Sequence, residues 1–394
     1  MKKIISLLIP ILIAIMTTIV INSLLDKKIE TLTKEKNINL MGRKYPDTIK
    51  DKSVLDKKIL SDEGDLFLLG SSEMGIDVPQ NPLKLFPFKG AEYNISCFGR
   101  AYAQSLQQAT YLGAGDIKDK QKVAFVLSIQ WFEDWKVEEP YNFVVNFSDV
   151  QFYKFLNNPR ISEENKKYYA ERIYKFLTKD KKYPAEAFYA KLYLDSSKIA
   201  NFEKLAFKPY YEVKQYLLDI QDKALLYQEV KDLPNKSSQQ TLKDVNWDDE
   251  YAQIEKENEQ IVSTNQFNLD DKYYNQNLKS EIDKHKGESK LENLVQSKEV
   301  DDYKFFLSIC NDLNIEPYII LPPVNGWYYD YLQLTKDKRD EYYENVKKIA
   351  NDNNLDVLDL HEYDYKKYFL IDPKHLGKEG WLKVSEEIYK HFNK

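Results

Sequence analysis

The chain has 394 residues, of which 43% are hydrophobic and 30% are charged, a balance typical of a folded globular protein. Its 57 basic and 63 acidic residues are mixed along the chain and give a net charge of −6, which argues against a general nucleic-acid binder. The two cysteines, Cys97 and Cys310, belong to no CxxC pair, so we expect no zinc site and no other metal or cofactor.

The amino-terminal segment Ile4–Leu25 contains no charged residue. As a helix its 22 residues would span about 33 Å, enough to cross a bilayer core of about 30 Å. The segment does not end in the small-residue pattern of a signal-peptide cleavage site, so we predict a membrane anchor over residues 1–27. Lysines on both sides of it leave its orientation open. Residues 28–62 are polar and indicate a juxtamembrane linker.

Short apolar runs that end in small or turn-forming residues predict buried parallel strands. These runs are Leu66–Gly70, Val123–Ser128, Pro317–Pro322 and, more weakly, Leu355–Leu360. Helix-periodic segments, among them Ala101–Leu112 and Lys338–Asp352, lie between them. Alternating strands and helices predict an α/β sandwich with a mostly parallel sheet.

One long interval, residues 149–290, is charged, aromatic and helix-periodic, with no convincing strand. We interpret it as a helical insertion. It would divide the α/β domain into a first part, 63–148, and a second part, 291–394.

The most informative polar residues follow the predicted strands, where sites form in open α/β sheets. Gly70, Ser71, Ser72 and Glu73 follow the first strand. A serine there can present its hydroxyl as a nucleophile, although a turn with an ordinary helix cap is the simpler alternative.

A serine nucleophile needs a base, and the chain has four histidines. His375 lies three residues after Asp372 in a Pro/Gly loop, so the carboxylate could orient the imidazole toward a serine. An incidental surface ion pair is the alternative. The other three histidines, His285, His361 and His391, are expected at the surface.

Further residues could complete such a site. Gln130 and the backbone of Gly99 could donate hydrogen bonds to an oxyanion. Arg100 could meet a phosphate or carboxylate. The remaining candidates for binding a substrate are Ser71, Trp131 and the loop residues Asn325 and Trp327. Together these residues favour acyl transfer through a serine ester.

The segments "LGSSEM", "FGRAYAQSL", "LSIQWF", "LPPVNGWYYDY" and "DPKHLGKEGW" resemble the SGNH hydrolase superfamily, and within it the DltD family of D-alanyl transfer proteins. The resemblance implies a three-layer sandwich with Ser72, rather than Ser71, as nucleophile, His375 as base and Asp372 as its partner. Gly99 and Gln130 would form the oxyanion hole, although the superfamily has asparagine where this chain has Gln130.

The resemblance also implies an extracellular domain on a single membrane anchor in a Gram-positive cell envelope. The substrates would be a D-alanyl donor and lipoteichoic acid hydroxyls, and the partner a membrane-bound O-acyltransferase (DltB-like). Three alternatives stay open. One is an O-acetyl transferase or esterase that acts on another wall polysaccharide. The second is a non-catalytic membrane-anchored scaffold. The third is a cytoplasmic thioesterase that acts on a carrier protein.

Overall fold

A parallel sheet of five strands lies at the centre of the fold in the computed structural model, which describes residues 2–133, 139–237 and 242–393 and, for residues 2–8 and 11, the backbone alone. The strands are β1 (Leu66–Leu69), β2 (Ile95–Phe98), β3 (Val123–Val126), β4 (Tyr318–Leu321) and β5 (Val357–Asp359). Their order across the sheet is β2-β1-β3-β4-β5, and each neighbouring pair is parallel. All carboxyl ends therefore meet at one edge.

Helices and short turns connect the strands and cover both faces of the sheet. The helices are, in chain order, α1 (Lys2–Glu35), α2 (Asn39–Gly42), α3 (Thr48–Lys52), α4 (Leu55–Asp62), α5 (Pro82–Leu85), α6 (Ser105–Ala114), α7 (Pro140–Val144), α8 (Asp149–Asn157), α9 (Glu163–Asp180), α10 (Pro184–Leu194), α11 (Lys198–Lys231), α12 (Trp247–Asn258), α13 (Asp271–Tyr273), α14 (Lys298–Asp312), α15 (Gly326–Tyr331), α16 (Lys336–Asp352) and α17 (Lys378–Phe392). Tighter 3₁₀ turns form at Ser72–Gly75, Ile129–Phe132, Ile282–His285 and His361–Tyr363, and a π turn forms at Tyr274–Leu278.

Each strand contributes side chains to two separate cores, because successive residues point to opposite faces of a sheet. In β1, Phe67 and Leu69 pack into the larger core, which includes side chains of α6, α14 and α16. Leu66 and Leu68 pack into the second core, which includes side chains of α5 and α17. Both faces of the sheet are therefore buried, which explains why its strands are continuous apolar runs.

The predicted α/β class with a parallel sheet is confirmed. The four predicted strands correspond to β1, β3, β4 and β5, and the helix-periodic segments Ala101–Leu112 and Lys338–Asp352 to α6 and α16. The structure adds β2, which pairs with β1 at the edge of the sheet. Its four residues, Ile95–Phe98, include the polar Ser96, so they form no continuous apolar run that would stand out in the sequence.

In the interval 149–290, the described residues form helices α8 to α13 together with turns. Helices α8 and α9 pack into the larger core through Phe152, Phe155 and Tyr169, among others. Residues 238–241, which belong to the interval, lie outside the described residues.

Residues 28–62, which we expected to form a linker, instead form the end of α1 and helices α2 to α4. Ile38, Met41 and Leu60 in this segment are fully buried. The polar composition misled the prediction because these few apolar residues are enough to hold short helices on the core.

Helix α1 contains the predicted membrane anchor. Among the described residues, no helix combines the length and the apolar composition that crossing a bilayer requires. The predicted transmembrane helix is therefore not confirmed. Charged residues from Asp26 onward occupy the last third of α1, and the side chains of residues 4–8 and 11 lie outside the described part.

The two cysteines occupy separate places in the fold. Cys97 lies on β2 and Cys310 on α14, and both are buried free thiols. They therefore act as small apolar core residues.

Candidate active site

The turn after β1 brings Ser72 to the carboxyl edge of the sheet. Gly70 leaves the strand while its N–H still donates to the Phe98 carbonyl, at 3.3 Å. Its own carbonyl accepts a hydrogen bond from Gln108 Nε2 at 2.5 Å. Ser72 then begins a 3₁₀ turn. Bonds from two neighbouring elements thus fix the backbone that precedes this serine.

Gly99, directly after β2, packs against the same turn. Its φ is +125°, and a Cβ at this position would lie 1.9 Å from the Gly70 carbonyl oxygen. Only glycine permits both this conformation and this approach. The loops after β1 and β2 are therefore in direct backbone contact.

The loop before α17 presents His375. The Asp372 Oδ1 atom accepts hydrogen bonds from the backbone N–H groups of Lys374 and His375, both at 2.9 Å. Its Oδ2 atom accepts from His375 Nδ1 at 2.6 Å. The carboxylate therefore fixes both the loop and the imidazole, and leaves Nε2 as the free ring nitrogen.

The Nε2 atom of His375 lies 2.9 Å from the hydroxyl oxygen of Ser72. With Nδ1–H donating to Asp372, Nε2 carries the lone pair and the serine hydroxyl donates to it. Ser71 does not share this contact, since its hydroxyl donates to the Arg100 carbonyl at 3.2 Å. The fold therefore distinguishes Ser72 from the adjacent Ser71, which the spacing in the sequence alone does not.

Electrostatics keep the Asp372 carboxylate ionised. Burial acts to raise its pKa, but the hydrogen bond and charge of His375, together with the two backbone N–H groups, hold that pKa below its ordinary value. An ionised carboxylate at this place stabilises the positive charge that an imidazole gains when it accepts a proton.

Gln130 lies in the 3₁₀ turn that follows β3. The Ser128 hydroxyl at the start of this turn donates to Glu73 Oε1 at 3.2 Å, which ties the turn to the one that carries Ser72. Glu73 is almost fully buried, and burial raises its pKa. Gln130 is 7% exposed, and within the described part of the chain its side-chain amide has no hydrogen-bond partner.

Two of the predicted substrate-binding residues have other roles in the fold. Trp131 is 3% exposed and packs against Phe125 in the larger core, so it lines no open site. The guanidinium of Arg100 donates to Asn146 Oδ1, Thr48 Oγ1 and the Val145 carbonyl. These contacts use its donors to hold the loop after β2 rather than to bind a ligand.

Two more, Asn325 and Trp327, follow β4 and lie near residues 370–377, the loop that carries His375 (the histidine loop). The Asn325 N–H donates to the Pro373 carbonyl at 2.8 Å, and its side-chain amide donates to the Phe267 carbonyl at 2.8 Å. Trp327 packs edge-on against Tyr365. Asn325 thus links the loop that carries His375 to the segment between α12 and α13.

A cavity of about 640 Å³ lies beside the histidine loop. Leu370, Ile371 and Gly377 line it on the loop side. Tyr273, Asn325, Lys366 and Lys378 are among the residues that complete its wall. Tyr273 is close enough to the Asp372 charge that this charge adds to burial in raising its pKa to about 12. The cavity therefore borders the loop that carries His375.

Sequence reasoning missed Gln108 and Glu73 as parts of the site. Both are buried polar residues on the elements that flank Ser72. Glu73 could have been noticed, because an acid directly after a strand and a turn is costly to bury without a purpose. Gln108 lies inside a helix and gives no such signal.

The remaining three histidines have partners other than Ser72. His361 Nδ1 lies 2.7 Å from Asp359 Oδ1, and its ring stacks on Tyr343. His391 stacks on Tyr318, and His285 pairs with Glu288. An imidazole with a carboxylate thus occurs more than once, but Ser72 accompanies His375.

Comparison with known proteins identifies the family. The family model described as "DltD protein" matches residues 42–393. The chain belongs to the DltD family. A DltD protein of Bacillus subtilis (strain 168) is 28% identical over 342 residues, which cover 85% of each chain. Staphylococcus aureus (strain NCTC 8325 / PS 47) has a DltD protein that is 25% identical over 362 residues, covering 91% of this chain and 89% of the relative.

A third DltD relative, from Lacticaseibacillus rhamnosus, is 24% identical over 328 residues, or 81% of this chain and 75% of the relative. The DltD match includes Ser72, the histidine loop and the interval 149–290. The DltD family is involved in the D-alanylation of teichoic acid in the cell envelope.

Proposed function

We propose that this protein transfers D-alanyl groups to teichoic acid hydroxyls through a covalent ester on Ser72. The hydrogen bond of 2.9 Å between Ser72 Oγ and His375 Nε2 carries this proposal. Serine hydrolases activate a hydroxyl by the same arrangement: the nucleophile is hydrogen-bonded to a base, and the base is hydrogen-bonded to an orienting carboxylate. The family's involvement in D-alanylation indicates that the acyl group is D-alanyl.

The first half of the reaction forms the acyl-enzyme. His375 Nε2 accepts the Ser72 proton while Ser72 Oγ attacks the D-alanyl carbonyl carbon. When the tetrahedral intermediate collapses, the bond to the donor breaks and the leaving group takes the proton from Nε2. Asp372 stabilises the imidazolium throughout.

The second half transfers the acyl group. A teichoic acid hydroxyl gives its proton to His375 Nε2 and attacks the ester carbonyl. Collapse then releases Ser72 Oγ, which recovers the proton. The product is a D-alanyl ester of the polymer, and the chain returns to its starting state.

The oxyanion of both tetrahedral intermediates requires hydrogen-bond donors. Gly99, which lies against the Ser72 turn, offers its N–H, and Gln130 offers its amide from the turn after β3. The link from Ser128 to Glu73 at 3.2 Å supports the proximity of the two turns.

Transfer rather than hydrolysis requires that the acceptor be held while water is excluded. The cavity of about 640 Å³ beside the histidine loop is the natural place for the acceptor chain. It borders the loop that carries the base at Ile371 and Gly377, which places the acceptor chain beside that loop; Ser72 and His375 themselves do not line it.

We place the domain on the outer side of the cell membrane, held there by the apolar half of α1. The described side chains of this half are largely exposed, with Leu12, Ile13 and Met16 at 57, 58 and 66%. Such a patch favours a lipid or protein neighbour. A membrane-bound O-acyltransferase is the expected partner, because an acyl donor must reach this side of the membrane.

Covalent labelling tests the nucleophile. A fluorophosphonate probe is expected to label the full chain, and mass spectrometry to find the adduct on Ser72 rather than Ser71. His375→Ala should abolish labelling, whereas the matched control His361→Ala should keep it. A folded wild-type chain that resists the probe would refute the serine mechanism and favour a scaffold.

Complementation of a deletion strain tests the identity of the substrate. In a deletion strain, Ser72→Ala should leave the D-alanyl ester content of teichoic acid at the level of the deletion, while the wild-type chain restores it. The rates at which the chain hydrolyses acetyl and D-alanyl model esters then distinguish the two acyl groups. Faster hydrolysis of acetyl than of D-alanyl esters, with unchanged D-alanyl content in cells, would identify an O-acetyl transferase instead.

A further inference from the structure

Helix α11 exposes an apolar stripe over its first five turns. The stripe consists of Ile199, Phe202, Leu205, Tyr210, Val213 and Leu217. Ile199, Phe202 and Leu205 are 74, 70 and 70% exposed. A helix of a globular protein ordinarily turns its apolar face to the core, and a continuous exposed face marks an interaction site.

The opposite face of α11 already packs on the protein. Tyr211 is buried and its ring meets Tyr189 of α10 at 4.6 Å and Tyr153 of α8 at 6.1 Å. Tyr211 follows Phe202 by nine residues, or two and a half turns, so the two side chains point in opposite directions. The stripe is therefore not needed to hold α11 in place.

Helix α1 lies on the same side of α11 as the stripe. Lys223 of α11 donates to Asn22 Oδ1 at 2.8 Å and pairs with Asp26 at 2.5 Å. Lys223 follows Phe202 by 21 residues, or three heptads, so its side chain lies about 60° around the helix from that of Phe202. The contact with α1 therefore lies beside the stripe, further along α11.

The two helices also run in the same direction. Their carboxyl ends are joined, since the Asn37 N–H donates to the Pro234 carbonyl at 2.8 Å and the Lys236 N–H to the Glu35 carbonyl at 2.7 Å. The Lys223–Asp26 pair lies about ten residues earlier on each helix. The stripe, still earlier on α11, therefore lies at the level of the charge-free segment Ile4–Leu25 of α1.

We propose that the apolar stripe of α11 contacts a lipid bilayer surface. This inference rests on the proposed membrane location of the chain. An amphipathic helix with lysines on its polar side and Phe, Leu and Ile on the other is the chemistry of an interfacial helix. Among the lysines outside the stripe, Lys208 is 66% exposed and can reach headgroups, whereas Lys204 donates to the Asp195 carbonyl and Lys214 pairs with the buried Glu186.

A lipid contact at α11 would give the domain a second attachment besides α1. Two attachments restrict how the domain tilts, so the carboxyl edge of the sheet would keep a constant orientation to the membrane. The acceptor of the proposed reaction is a polymer fixed in the envelope, which makes such an orientation useful.

Site-specific fluorescence tests this contact in the full chain. Phe202→Cys is labelled with an environment-sensitive fluorophore, and the chain is reconstituted into phosphatidylcholine and phosphatidylglycerol vesicles with or without doxyl-labelled lipid. Cys97 and Cys310 are buried, so the label goes to the new thiol. Leu291→Cys, at a side chain that is 93% exposed, is the matched control. Ile199→Cys repeats the test at a second stripe position.

We expect blue-shifted emission at positions 199 and 202 that doxyl lipid quenches, and water-like, unquenched emission at 291. Unquenched emission at both stripe positions would overturn the proposal. Blue-shifted emission that doxyl lipid leaves intact and that depends on protein concentration would assign the stripe to a second copy of the chain. Fluorophosphonate labelling of Ser72 in the same samples reports on the active site alone, so failure of either proposal is recognised separately.

Discussion

The hydroxyl of Ser72 and the Nε2 atom of His375 lie 2.9 Å apart although 303 residues separate them in the chain. One group follows the first strand and the other precedes the last helix. The parallel sheet brings them together because both loops lie at the same edge.

Asp372→Asn should lower esterase and transferase activity about 10³- to 10⁴-fold with little effect on folding. An amide can donate to Nδ1, which favours the tautomer whose proton points at Ser72. The rate of fluorophosphonate labelling measures the loss.

Asp359→Asn is the control for that experiment, because Asp359 pairs with His361 at 2.7 Å in the same way. Labelling by this variant should match the wild type. Equal losses in both variants would mean that Asp372 acts only through stability.

Gly99→Ala should destabilise the turn that carries Ser72 and slow labelling strongly. The new Cβ would overlap the Gly70 carbonyl oxygen, and the positive φ costs a further ~1–3 kcal/mol. Urea unfolding and labelling rate together measure the effect.

Gly64→Ala provides the comparison, since Gly64 also has a positive φ but no atom within 4 Å of the added Cβ. We expect a loss of about 1–2 kcal/mol there and normal labelling. If the two variants behaved alike, backbone contact between the two loops would be irrelevant to the site.

Arg172→Met should cost about 3–5 kcal/mol in the free energy of unfolding. Its guanidinium holds Asp302 with two hydrogen bonds, at 3.0 and 2.7 Å, and both side chains are buried between α9 and α14. Removal of the cation leaves a buried carboxylate without its counter-charge. Urea titration measures the change.

Two further variants sharpen that test. Asp340→Asn breaks the exposed Lys336–Asp340 pair and should cost less than about 1 kcal/mol. Arg172→Met combined with Asp302→Leu should recover much of the stability, because no unpaired charge remains. A single Arg172 variant as stable as the wild type would refute a structural role for the pair.

Asp65→Asn should change how stability depends on pH. Burial raises the pKa of Asp65 to about 6, against an ordinary value of 3.8. The folded state therefore binds the proton more tightly than the unfolded state, so this contribution is complete below pH ~4 and is lost as pH rises through ~6. The loss is on the order of 3 kcal/mol.

Urea unfolding of both chains between these pH values checks the Asp65 prediction. The wild type should lose stability relative to Asp65→Asn as pH rises, since the asparagine does not titrate. Parallel curves for the two chains would show that Asp65 has an ordinary pKa.

The sequence by itself determined the class of fold. The runs that became β1, β3 and β4 are apolar at every position, because a sheet covered on both faces buries both sides of each strand. The Asp-x-x-His spacing likewise predicted a local contact, since three residues of loop suffice to bring a carboxylate to an imidazole. These features depend on neighbours in the chain.

Only the tertiary structure decided the features that depend on distant residues. It selected Ser72 over Ser71 for the contact with His375, moved Trp131 into the core, used the donors of Arg100 within a loop, and made packed helices of residues 28–62. Each outcome depends on which surface the rest of the chain presents. A side chain's chemistry limits what it can do, but its neighbours across the fold decide which of those uses it has.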